Sequence, residues 1–294
     1  STQGVSSAAS DVYKRQGDLS ISPGSFPDAP LVSPASARDA AAAAAMPPLY
    51  VDLDGTLTYT DLLFESVLLL IKRNPLYIFL CVVWLLQGRG YMKAQIARRI
   101  RLDVALLPYN DELLAYLKQQ HAAGRRLVLA SASDRHLVQM VADHLGIFSA
   151  VMGSDVATNL KSAAKLAEIE KDARAAGFAY AGNSSADLAV WSRATEVIVV
   201  NASASIVAQA QKMKTPALII APRPFKLRLV LKALRLHQWA KNALLFVPLL
   251  AAHELNSEPW LSTLLAFVAF GMCASATYIV NDLFDLASDR AHPR

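Results

Sequence analysis

Two aspartates stand two residues apart at the end of an apolar run in LYVDLDGT: Asp52 and Asp54, with Thr56 two further on. Alternation along a strand sends Asp52 and Asp54 to the same side. Paired carboxylates are costly to hold together unless a cation or a phosphate-linked reaction uses them. Further polar groups recur at the ends of other apolar runs: Ser131 in RLVLAS, Lys161 in NLKSAAKL, and Asn183 with Asp187 in AGNSSAD. Together these could transfer a phosphoryl group. One carboxylate would attack phosphorus and the other would protonate the leaving oxygen. A hydroxyl and an ammonium would hold the phosphate oxygens, with Thr56 as a further contact and Lys165 as the rival to Lys161. Mg²⁺ would bridge the acids to the phosphate.

A second constellation lies in YIVNDLFDLASDR, where Asn281, Asp285 and Asp289 are spaced i, i+4, i+8 beside a long apolar run. On a continuous helix they share one face. Three oxygen ligands on one face at a membrane suit Mg²⁺ and a diphosphate.

The elements that must position the first set alternate in type. Strands are expected at 49–54, 126–131, 149–154, 178–183 and 196–201, with helical stretches between them ending at Gly124 and Gly146. Such alternation predicts an α/β fold, a parallel sheet with helices on both faces. Its reactive groups belong at the carboxyl ends of the strands. The insert of about 61–108 holds two apolar runs, LLFESVLLLI and PLYIFLCVVWLL, each shorter than the roughly 20 residues of a spanning helix. It reads as a helical cap over the site; the alternative is a hairpin dipping into a bilayer surface.

The second set needs a membrane. The chain has 294 residues, 54% of them hydrophobic, and a net charge of +5; its mean hydropathy of +0.29 is high for a soluble enzyme. Cys81 and Cys273 have no spacing that suits a disulfide framework or a metal site. The basic excess peaks between Arg223 and Lys241, next to the most apolar part of the chain, which points to a membrane surface and not to nucleic acid. LSTLLAFVAFGMCASATYIV (261–280) carries no charge and is long enough to span. Gly271 and Ser275 allow close helix packing within it. With the basic run before it, this segment predicts a transmembrane hairpin over 223–294, both ends and the soluble domain of 46–222 lying on the cytoplasmic side. Residues 1–45 are rich in Ser, Ala and Pro and are expected to be a disordered or non-native leader ahead of Met46.

DLDGT, the strand ending in Ser131, the lysine and GNSSAD resemble, in order and spacing, the four motifs of the haloacid dehalogenase (HAD) superfamily, closest to its phosphoserine-phosphatase-like members. The resemblance implies a Rossmann-like fold with a helical cap at 61–108. It implies Asp52 as nucleophile, Asp54 as general acid/base, and Ser131 and Lys161 on the phosphate. It places Mg²⁺ on Asp52, the Asp54 carbonyl and the last motif, Asn183 with Asp187. Two positions depart from the pattern: Asn183 stands where the family has Asp, and Ser162 where Gly is common.

NDLFDLASDRAHP, preceded by LRLHQWAKNALLFVPLLA, resembles the UbiA-type membrane prenyltransferase superfamily, and within it the decaprenyl-phosphate phosphoribosyltransferases. By that resemblance Asn281, Asp285 and Asp289 hold Mg²⁺ and a diphosphate with Asp282 alongside, and Arg235 and Lys241 contact phosphate. The resemblance spans two of about nine helices, so the chain reads as a fragment of a longer fusion. The expected whole is a bifunctional enzyme of the bacterial inner membrane. Its partners would be a polyprenyl phosphate lipid and a phosphorylated small molecule, with Mg²⁺ as cofactor and no nucleic acid. Two rivals are an aromatic prenyltransferase whose HAD domain acts on another phosphate monoester, and a non-catalytic HAD scaffold, which Asn183 favours.

Overall fold

The computed structural model describes residues 46–155, 160–224, 226–253 and 256–291; the expected leader of 1–45 lies outside them. Six parallel strands form one sheet: β1 (Leu49–Val51), β2 (Leu127–Asp134), β3 (Ala150–Ser154), β4 (Ala179–Gly182), β5 (Glu196–Val200) and β6 (Leu218–Ile220). The order across the sheet is β3-β2-β1-β4-β5-β6, all neighbours parallel. β1 is central, with Leu49 opposite Leu127 on one side and Ala179 on the other. The chain therefore leaves β1 in opposite directions across the sheet at β2 and β4. This switch point opens a crevice at the strands' carboxyl ends.

Alternation along the strands supplies two cores. Leu49, Val51, Leu129, Ala181 and Ile198 face one way. They pack against α4 (Asp111–Ala122) and α5 (Arg135–Leu145). Tyr50, Val128, Tyr180 and Val199 face the other way, against α6 (Ala163–Ala173), α7 (Leu188–Trp191) and α8 (Ala204–Met213). Caps fix the helix ends. Asn110 accepts from the Leu113 N–H at the start of α4, and Gly146 closes α5 in the left-handed conformation.

The insert after β1 is helical, as expected for a cap: α1 (Leu62–Arg73), α2 (Tyr77–Leu86) and α3 (Arg89–Ala97). It carries its own small core of Leu70, Trp84 and Ile96. Beyond the sheet come α9 (Leu227–Ala233), a 3₁₀ segment over Leu236–Phe246, α10 (Val247–Ala251) and the long α11 (Ser257–Ala291).

Three boundaries differ from expectation. β6 was not anticipated, because its three residues are too short for a pattern. β1 stops at Val51, so Asp52 and Asp54 lie on the turn beyond it. The first arm of the hairpin is three short pieces, broken where Arg235 takes a positive φ of 49° and Pro248 opens a new helix. Among the described residues one helix is long and apolar enough to cross a membrane, over Ser257–Leu286. The small residues of α11 receive this first arm. Gly271 faces the indole of Trp239, and Ser275 accepts a hydrogen bond from Trp239 Nε1 at 3.0 Å.

Candidate active site

The turn after β1 is tied to the sheet by the Asp52 N–H, which donates to the Ala181 carbonyl at 2.9 Å. Gly55 makes the turn possible. Its φ is +77°, and a Cβ there would sit 2.2 Å from Asn183 Nδ2. The same close approach brings the β4 loop against the β1 loop, so that Asp52, Asp54, Asn183 and Asp187 line one cavity of about 290 Å³.

Asp52 is 7% exposed. Its Oδ1 accepts from Lys165 Nζ at 2.6 Å and its Oδ2 from Thr56 Oγ1 at 3.2 Å. Burial pushes its carboxyl up to about 7; Lys165 opposes this, and the charges of Asp187 and Asp54 add to it. Asp54 is fixed by three donors: the Leu62 N–H on Oδ1 at 2.8 Å, and Ser131 Oγ and Ser133 Oγ on Oδ2 at 2.8 and 2.7 Å. Burial outweighs these bonds and raises its carboxyl too.

Lys165 lies on the inward face of α6, one turn from Ile169 and two from Ala173, which are both buried. Its ammonium also donates to Tyr180 Oη at 3.0 Å and stands 3.9 Å from Asp187 Oδ1. The acids around it hold it charged despite its burial. Tyr180 Oη donates to Asp187 Oδ1 at 2.6 Å. The other Asp187 oxygen accepts from the Asn183 N–H, the Ser184 N–H and Ser184 Oγ at 3.0–3.1 Å, a capping box that shapes the loop after β4.

Of the two lysines weighed from sequence, Lys165 is the one against Asp52. Lys161 is exposed at the rim of the same cavity, ahead of the first turn of α6. Ser131 is fully buried beneath Asp54 and accepts from the Ser133 N–H at 2.9 Å. Ser133 lines the cavity in its place. Sequence reasoning passed over Ser133, although its i+2 spacing from Ser131 signalled a shared strand face. It also passed over Lys93 of α3, which lines the cavity and donates to the Ala132 carbonyl at 2.7 Å. Burial lowers the Lys93 ammonium, and Asp54 and Asp61 oppose that. Nothing in the sequence marked which cap residue would reach the sheet.

The donor set suits Mg²⁺ in kind. Asp52 and Asp187 are buried carboxylates within 4 Å of one ammonium, and half-buried Asp54 lines the same cavity, an excess of acid that a hard cation would relieve. Asn183 adds a neutral side-chain oxygen. Among the described residues no three His, Cys, Asp or Glu side chains are arranged as a metal-binding group.

In the second set, α11 runs unbroken through Asn281, Asp285 and Asp289, and Asn281 Nδ2 donates to Asp285 Oδ2 at 3.1 Å. Arg235 pairs with Asp282 at 2.7 Å and lies over the Tyr278 ring. Lys241 and Asp289 are exposed. The cap touches this set directly: Lys72 Nζ donates to the Phe284 carbonyl at 2.6 Å and lies 3.4 Å from Asp285, and Glu65 pairs with Arg290 at 2.9 Å. The Leu62 N–H at the other end of α1 is held by Asp54. About 15 Å of helix thus joins the two acidic sites.

The family model of the haloacid dehalogenase-like hydrolases matches residues 49–191. An uncharacterized protein of Sinorhizobium fredii, y4nM, is 34% identical over 83% of this chain and 48% of its own length. Decaprenyl-phosphate phosphoribosyltransferase of Corynebacterium glutamicum is 43% identical over 22% of this chain and 20% of its own. The chain thus spans about half of the first relative and about a fifth of the second. Among solved structures, a phosphoserine phosphatase in its apo form aligns with a TM-score of 0.42 at 16% identity, over 63% of this chain and 96% of that one. Residues 49–191 are thus a haloacid dehalogenase-like hydrolase domain.

Proposed function

We propose that the soluble domain hydrolyses a phosphate monoester. One observation carries this reading: Asp52 and Asp54 line a single cavity with Lys165 2.6 Å from Asp52. Asp52 attacks phosphorus and the ester oxygen departs with the proton of Asp54. This leaves a phosphoryl group on Asp52 and an ionised Asp54. Asp54 then takes a proton from water, whose oxygen attacks the phosphorus; phosphate leaves and Asp52 is restored. Burial raises the Asp54 carboxyl and so favours its acid form, and the Ser131 and Ser133 hydroxyls steady the base that it becomes. Lys165, Ser133, Lys93 and Lys161 supply the positive and hydroxyl donors for the phosphoryl oxygens. Mg²⁺, held by Asp52, the Asp54 carbonyl and Asn183, would neutralise charge on the phosphoryl group.

The finer reading joins the two halves. The similarity of the C-terminal region to the phosphoribosyltransferases supports a membrane transferase that moves a 5-phosphoribosyl group onto a polyprenyl phosphate. The phosphatase would then remove the 5-phosphate of that lipid on the cytoplasmic face of the inner membrane. Asn281, Asp285 and Asp289 would hold Mg²⁺ and the diphosphate there, with Asp282, Arg235 and Lys241 beside them.

The test is Mg²⁺-dependent phosphate release by the chain in lipid nanodiscs. It uses a panel of monoesters that includes polyprenyl-phosphoryl 5-phosphoribose, and compares wild type with Asp52→Asn. Release that disappears in the variant is expected. A wild type that releases no phosphate from any member would overturn the proposal.

A further inference from the structure

The cap helix α2 reads YIFLCVVWLL and carries no charge. One stripe faces the cap: Trp84 is buried, Tyr77 and Cys81 pack beside it, and Arg99 lies over the Trp84 ring. The rest of the helix is apolar and open. Phe79 is 69% exposed, Val82 58% and Leu86 83%. A helix that is apolar all round belongs in a core or in lipid, and an exposed patch of this kind marks a binding face.

Its position tells what covers it. α1 leads into α2 through Asn74–Leu76, and the last turn of α1 places Lys72 on the Phe284 carbonyl and beside Asp285. Those residues lie where the apolar span of α11 ends. α2 therefore begins at the level at which α11 leaves the hydrocarbon. Exposed cations stand at both of its ends, Lys72 and Arg73 before it and Arg89 after it, a pattern that suits anionic headgroups. Ten residues of helix span about 15 Å, half of the hydrocarbon thickness, so α2 is too short to cross and lies along one leaflet with both ends at its surface.

We infer that α2 is a monotopic anchor, buried in the leaflet whose surface α11 crosses at Phe284, with lipid acyl chains against Phe79, Val82 and Leu86. Its basic ends lie among the headgroups. The cap is then held to the bilayer at two places, through α11 and through α2. The inference does not depend on the catalytic reading.

The test uses the unaltered chain in nanodiscs that contain phospholipids with a diazirine in the acyl tail. After illumination, tagged peptides are mapped. The expected result is tagging of the 77–86 peptide at a yield within about threefold of that over 261–280, and about tenfold above the 111–122 peptide of α4. Tagging of 261–280 with 77–86 at the level of α4 would overturn the inference, whether solvent or further polypeptide covers the helix.

Discussion

Asp52 should cost the metal-free protein stability, and the amount follows from its surroundings. In the unfolded chain this carboxyl titrates near its ordinary 3.8; in the folded protein burial holds it at about 7. Between those values the folded state keeps a proton that the unfolded state has lost, so stability falls as pH rises through the window. At 1.36 kcal/mol per pH unit the cost is on the order of 4 kcal/mol, fully present above pH 7 and absent below about pH 4. That is a large part of a typical domain's stability of about 5–15 kcal/mol. Asp52→Asn removes the titration but keeps the shape. Amide hydrogen exchange of β1 and β4, with chelator present, reads opening of the sheet apart from that of α11. Protection in the wild type should fall, relative to Asp52→Asn, by about 4 kcal/mol from pH 4 to pH 8. Saturating Mg²⁺ should restore much of the lost protection. Parallel pH profiles for the two proteins would refute the claim that Asp52 is strained by burial.

Three further outcomes are expected. Lys165→Met leaves Asp52 and Asp187 without their shared ammonium; breaking such a buried pair costs about 3–5 kcal/mol, and the acid limb of the phosphate-release profile should move to higher pH. Gly55→Ala should cost about 1–3 kcal/mol and depress phosphate release, because φ is +77° and Asn183 blocks the new methyl. Gly146→Ala, at φ +65° with nothing within 4 Å, should cost about 1 kcal/mol and leave release unchanged; equal effects of the two on release would refute the packing argument. Gly271→Leu should expel the Trp239 indole, which lies 2.4 Å from the position of an added Cβ, and speed proteolysis within 236–246; an unchanged digestion pattern would count against that packing.

The central sheet was legible because β1, β2, β4 and β5 are largely buried on both faces and read as apolar runs, with helices closed by glycines such as Gly146. The aspartates of VDLDGT and the GNSSAD loop were legible as polar groups at the ends of apolar runs, and the structure brings them to one cavity. The choice of lysine turns on the start of one helix. Lys161 and Lys165 are four apart, but Ser162 has a φ of 46° and the helix begins at Ala163, so only Lys165 joins the inward stripe of Ile169 and Ala173. That stripe was readable; the break before it was not. Ser131 was judged by its place at the strand's end, yet β2 runs on to Asp134 and carries Ser133 to the cavity. The first arm of the hairpin looked continuous by hydropathy, which is blind to the backbone change at Arg235. Lys93 and the exposure of α2 depend on how the cap lies against other elements, and single-chain periodicity holds no trace of that.

The parallel order of the sheet also sets a timetable for synthesis. β1 cannot gain its second neighbour until β4 is made, some 130 residues later, and pairings so distant in sequence form slowly, in about milliseconds to seconds. The last strand ends at Ile220, and α11 starts about 35 residues beyond it. At about 5–20 residues per second the ribosome needs roughly 2–7 s to cross that gap. The interval is long enough for the sheet to close over its two cores before the apolar helix appears. The stretch between them works as a delay that separates closure of the sheet from synthesis of α11, whose apolar surface the sheet's cores would otherwise meet.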